Sequence, residues 1–168
     1  MKVTYNNTAV GQYMKNIAQT HLAGFGTRVL YTTSPYNSFD THATQLAAHD
    51  KLWTDVSSTV DTFFTDLRDH QASENVLLFM FSEFGRRIAD NGSGTDHGAA
   101  GVAFAVGEKV KGGIYGEYPS LEPSQQEEGG NLKHNLDFRS VYATILEDWL
   151  SLNPTPIIGG SFEKVRFL

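Results

Sequence analysis

Apolar positions recur with helical spacing near the start of the chain. In "NNTAVGQYMKNIAQTHL", Val10, Tyr13, Met14, Ile17, Ala18 and His21 share one face, Asn7 or Thr8 can cap the first turn, and Gly24 and Gly26 stop it. "TRVLYTTS" then reads as a β-branched strand halted by Pro35, and "PYNSFDTHATQ" as a loop. A long helix is predicted from about Thr44 to His70, turning Leu46, Trp53, Val56, Val60, Phe63 and Leu67 to the core. "NVLLFMF" is apolar at every position after its Asn, the pattern of a strand covered on both faces, and "GVAFAVG" is a second such strand. Residues 107–136 read as irregular, with two prolines and many glycines. "DFRSVYATILEDWLSL" predicts an amphipathic helix with Val141, Ile145 and Trp149 on one stripe, and "FEKVRFL" a short final edge strand.

The order helix, strand, helix, strand, strand, helix, strand predicts an α/β fold with a mostly parallel sheet flanked by helices, in a single domain over residues 1–168. No repeat interrupts it.

Composition narrows the function. The net charge of −6, with no basic run, disfavours a nucleic-acid surface, since neutralising phosphates takes clustered Lys and Arg. The absence of cysteine removes disulfides, thiolate metal sites and a Cys nucleophile. No apolar stretch reaches the roughly 20 residues that span a bilayer. The first residues hold no apolar signal-peptide core, so the expectation is either a cytoplasmic protein or a chain without its natural N-terminus.

Polar residues cluster where the strands end. "SFDTH" supplies Asp40 and His42, and "SEFGRRIADNGSGTDHG" supplies Glu83, Asp96 and His97. In a parallel sheet these loops meet above one edge. Asp, Glu and His without sulfur suit Zn²⁺, Mn²⁺ or another divalent ion, and Arg86 or Arg87 can hold an anionic substrate group. Plainer roles fit the same residues: Asp40 as a helix N-cap, His42 as an exposed first-turn residue, Glu83 with Arg86 as an ion pair, Asn91-Gly92 as a turn and His97-Gly98 as a loop end. His21, His49 and His70 fall within helices, and His134 stands near Asp137 just before one.

The stretches "FDTHATQ", "MFSEFGRRIADNGSGTDHGAAGVAFAVGEKVKGGIYGEYPSL" and "LDFRSVYATIL" resemble the C-terminal half of the bacterial sulfatase-like proteins grouped as domain of unknown function 1501, in the alkaline phosphatase superfamily. The resemblance runs from about Val29 to Leu152 and implies a partial alkaline phosphatase/sulfatase-like fold, a fragment or a truncated homologue. By that likeness Asp40, His42 and His97 form one metal site, Glu83 leans toward a second, and Asp96 ligates the ion or orients His97. Phe84 stands where the superfamily has its second-site histidine. Its nucleophile precedes the matched part, and Thr32, Thr33 and Ser34 do not occupy that position. The resemblance therefore implies a metal-dependent hydrolase of phosphate or sulfate esters, using Zn or Mn, with Arg86 and Arg87 on the substrate and without turnover as this chain alone. The alternatives are a non-catalytic metal-binding or protein-interaction module, or a sheet completed by another copy through exposed edges. It also implies a bacterial exported protein whose N-terminus is missing here.

Overall fold

A computed structural model describes residues 3–36 and 38–168, and the chain divides into two units. The first comprises Met1–Val76 with Asp90–Asp96, and the second Leu77–Ala89 with His97–Leu168.

The first unit is built on two helices, α1 (Ala9–Leu22) and α2 (Gln45–Asp69), which pack on each other. Thr8 caps α1, its hydroxyl accepting from the Gly11 N–H at 3.1 Å, so one of the two expected caps is the one used. Met14 and Ala18 from α1 meet Phe63, Phe64 and Leu67 from α2 in a core that also takes Tyr5. The C-terminal half of the predicted α2 stripe is therefore the buried half. Leu46, at the other end, is 88% exposed, and Trp53 packs edge-on against Phe39, 5.2 Å between ring centres.

The second unit holds β1 (Leu78–Met80) paired antiparallel with β4 (Phe104–Val106), in the register Leu78–Val106, Phe79–Ala105, Met80–Phe104. After a largely irregular stretch, α3 (Phe138–Thr144) runs into a π-helical turn, Ile145–Trp149, and a short α4 (Thr155–Ile158) follows. Asp137 caps α3 by accepting from the Arg139 N–H at 2.8 Å. Within the turn Lys164 bridges Glu147 at 3.1 Å and Asp148 at 2.7 Å. Phe79, Phe81 and Phe138 gather around the Tyr142 ring, while Ala143, Val165 and Phe167 are buried.

The remaining strands, β2 (Gly85–Asp90) and β3 (Thr95–Gly98), pair as a hairpin; its tip belongs to the first unit and its base to the second.

This architecture corrects the expected α/β fold with a mostly parallel sheet, and with it the partial alkaline phosphatase/sulfatase-like fold. Among the described residues the only sheets are two small antiparallel pairs. Three inferences from pattern fail for separable reasons. "NVLLFMF" and "GVAFAVG" are apolar enough for a doubly covered strand, yet they pair with each other antiparallel over three residues each. Only the β2–β3 hairpin lies between them, and not the helix that usually carries a parallel crossover. "TRVLYTTS" carries no strand at all, with Val29 69% and Tyr31 74% exposed, because β-branched residues settle into a strand only where a neighbour offers a ladder. "FEKVRFL" likewise forms no strand. Its Val165 N–H instead donates to the buried Thr144 hydroxyl at 2.8 Å, so a side chain takes the place of a partner strand.

Candidate metal centre

The loop before α2 carries Asp40 and His42, and α2 itself holds that loop in place. Phe39 packs between His49 and Trp53, at 5.5 and 5.2 Å between ring centres, and the Thr41 hydroxyl lies 2.9 Å from His49 Nε2. His49, read from the sequence as a helix-face residue only, thus fixes the two residues on either side of Asp40. Asp40 does not cap α2. That position falls to Thr44, in the left-handed region at φ 51° and without a side-chain capping bond.

The hairpin tip docks on the same loop. The Gln45 N–H donates to Ser93 O at 3.1 Å, and the Thr95 hydroxyl donates to Gln45 Oε1 at 2.9 Å. Gly94 is buried so closely here that a Cβ would stand 3.0 Å from the His42 carbonyl carbon and oxygen. Only glycine brings the tip in without pushing the loop aside. Asn91 spans the junction, its amide nitrogen reaching His42 O at 3.1 Å and Asp96 Oδ1 at 3.3 Å.

The result is an imidazole with a carboxylate at each nitrogen. His42 Nε2 is 3.2 Å from Asp40 Oδ1, and Nδ1 is 3.6 Å from Asp96 Oδ1, an electrostatic contact longer than a hydrogen bond. Asp40 and His42 count among the described residues whose ligand atoms lie close enough to share an ion. Two atoms bound to one Zn²⁺ at about 2.1 Å stand roughly 3.0–3.4 Å apart for octahedral and tetrahedral angles, and 3.2 Å lies inside that range. The opposite carboxylate suits the outer partner that metal-bound histidines commonly have. All three side chains are partly open to solvent, which leaves room for water or substrate to complete a coordination sphere.

The other expected site residues lie in the second unit. His97, peptide-bonded to Asp96, stacks almost flat on Phe84, 3.6 Å between ring centres and 15° between planes. Arg86 covers the Phe84 ring at 5.1 Å, and Arg87 Nε donates to His97 O at 3.1 Å. Glu83 lies in the second unit as well. It is exposed three residues beyond β1, accepts only a long 3.4 Å contact from Ser82 Oγ, and among the described residues forms no ion pair with either arginine. Asp137 is held as the α3 cap and by Arg139, 2.6 Å away, which keep its carboxyl down at about 2. His134 faces Glu127 at 3.9 Å.

A family model described as protein of unknown function (DUF1501) matches residues 4–152. The chain belongs to this family. No curated protein and no solved structure matches it. No helix among the described residues is long and apolar enough to cross a membrane.

Proposed function

We propose that this chain carries the metal-binding part of a hydrolase for phosphate or sulfate esters, with Asp40 and His42 holding a divalent ion, Zn²⁺ or Mn²⁺. The observation that carries the reading is the His42 ring set between two carboxylates, one at ligand spacing and one behind it. Asp40 binds as the ionised carboxylate, and His42 gives up the Nε2 proton it otherwise donates to Asp40. Asp96, facing Nδ1, favours the tautomer with the proton on that atom. His97, the residue after Asp96, is the further ligand candidate taken from the motif. When bound, the ion supplies Lewis-acid stabilisation of charge on a transferring phosphoryl or sulfuryl group. Arg86 and Arg87 are the candidates for gripping ester oxygens; among the described residues Arg87 donates through Nε to His97 O, which leaves its terminal nitrogens for an anion.

The motif likeness to sulfatases and phosphatases supports the choice of substrate class. Because no hydroxyl of this chain matches the nucleophile of those enzymes, the isolated chain binds metal and does not turn over. Calorimetric titration with Zn²⁺ and Mn²⁺, alongside assays on aryl phosphate and aryl sulfate, tests both halves. The expected result is binding near one ion per chain, abolished by His42→Ala, with no hydrolysis. Equal affinity in parent and His42→Ala sinks the metal reading. Hydrolysis that depends on Asp40 overturns the claim of inactivity and makes Thr32, Thr33 and Ser34 the nucleophiles to replace.

A further inference from the structure

Asn91 reads in the sequence as half of an Asn-Gly turn, a role that needs only its Oδ1. In the structure the side chain does more. Oδ1 accepts from the Ser93 N–H at 3.3 Å and the Gly94 N–H at 3.0 Å, which closes the turn. Nδ2 donates to His42 O at 3.1 Å and to Asp96 Oδ1 at 3.3 Å. A carboxamide has two acceptor lone pairs and two N–H groups, and all four are engaged. The turn uses one end, and the two polar elements on either side of the imidazole use the other.

We infer that Asn91 is a positioning residue for the Asp40–His42 site, fixing the His42 main chain and the Asp96 carboxylate relative to each other. The inference rests on the metal reading above. Asp96 has nothing rigid about it, being an exposed side chain on a strand two residues from a turn. Its Oδ1 approaches His42 Nδ1 at 3.6 Å while the same oxygen accepts from Asn91. The donor therefore sets which way the carboxylate points, and through it how far Asp96 competes with Asp40 for the imidazole proton. Outer partners of this kind typically alter metal affinity by 10–100-fold. Asn91 acts one step further out, and the lower end of that range is expected.

The test is Asn91→Ser in the full chain. A serine hydroxyl still accepts from the following N–H groups, so the turn keeps its local bond, but it is too short to reach His42 O and Asp96. It adds no charge, so plain Coulomb attraction for a cation is unaltered. Two quantities are read: Zn²⁺ and Mn²⁺ affinity by calorimetry, and the His42 ring ¹⁵N shifts of the metal-free protein, which report the tautomer. The expected result is an affinity about tenfold weaker, with His42 ring shifts displaced from the parent's and a thermal midpoint close to it. An affinity within twofold of the parent overturns the inference, whatever the ring does. So does a weaker affinity with unmoved ring shifts, which would place the effect elsewhere. If the parent itself binds neither ion, the metal reading fails by itself. The ring shifts then decide Asn91 alone: displaced shifts uphold its hold on His42, and unmoved ones overturn it.

Discussion

Tyr5 donates its phenolic proton to Asp66 Oδ2 at 3.0 Å, across 61 residues of sequence, with both side chains buried in the two-helix unit. The other carboxylate oxygen has no hydrogen bond among the described residues. His70 Nδ1 comes within 3.4 Å of it but directs its proton to the Asp66 main-chain oxygen at 2.8 Å. Among the described residues Tyr5 is thus the one side-chain donor to a carboxyl sealed from water.

Tyr5→Phe keeps the ring and deletes that donor. The cost of an unsatisfied buried acceptor is about 1–3 kcal/mol, and it falls on the unit containing α1 and α2. Urea titration followed by far-ultraviolet dichroism should show that unit's midpoint falling at unchanged slope. An unchanged midpoint would mean that water reaches Asp66 when the phenol is gone.

The same pair sets an alkaline limit. Burial, then the hydrogen bond and charge of Asp66, push the Tyr5 phenol well above its ordinary value. The pKa is raised in the folded state, so the associated stability is complete below about pH 10, the unfolded tyrosine value. It is lost as pH rises beyond that toward the folded value. Stability measured from pH 8 to 12 should decline more steeply in the parent than in Tyr5→Phe. Parallel curves would remove Tyr5 as the cause.

At the acid end the corresponding group is Asp137. The Arg139 side chain, first by hydrogen bond, and then the Arg139 N–H hold its carboxyl at about 2. The pKa is lowered by folding, so the contribution is present above about pH 4 and fades as pH falls through about 2. The Arg139 amide proton shift should titrate with a midpoint near 2. A midpoint near 4 would show that the cap is not formed in solution.

Glu83 and His42 separate most sharply in metal binding. Glu83 stands exposed and among the described residues accepts only from Ser82, so Glu83→Gln should leave Zn²⁺ and Mn²⁺ affinity within twofold of the parent. His42→Ala should remove binding. A large loss in Glu83→Gln would give that carboxylate a place on the ion.

The two long helices were legible because their apolar residues repeat with helical period over three or more turns, and α2 lies within one residue of its expected ends. Strands are written less durably. "TRVLYTTS" has every compositional mark of one and finds no partner, while "GRRIAD" and "TDHG" form a hairpin with no clear alternation. Their only local signal is Asn91-Gly92. Asp40, His42 and Asp96 could be named from residue type and motif. That Asn91 joins two of them could not, because its bond to His42 reaches back past the whole of α2 and the chain records only that it turns there.

His42 precedes α2 while Asp96 comes from the hairpin tip that folds back onto the helix start. An ion bound at His42 Nε2 would leave the proton on Nδ1 and so tighten the His42–Asp96 contact, closing a loop that contains the whole helix. Loop closure removes freedom from the unfolded chain, by an amount that grows slowly with the length enclosed. The metal would then serve this protein as a reversible cross-link, doing for a chain without cysteine what a disulfide does elsewhere. Its strength would be set by the free ion concentration around it rather than by a redox potential.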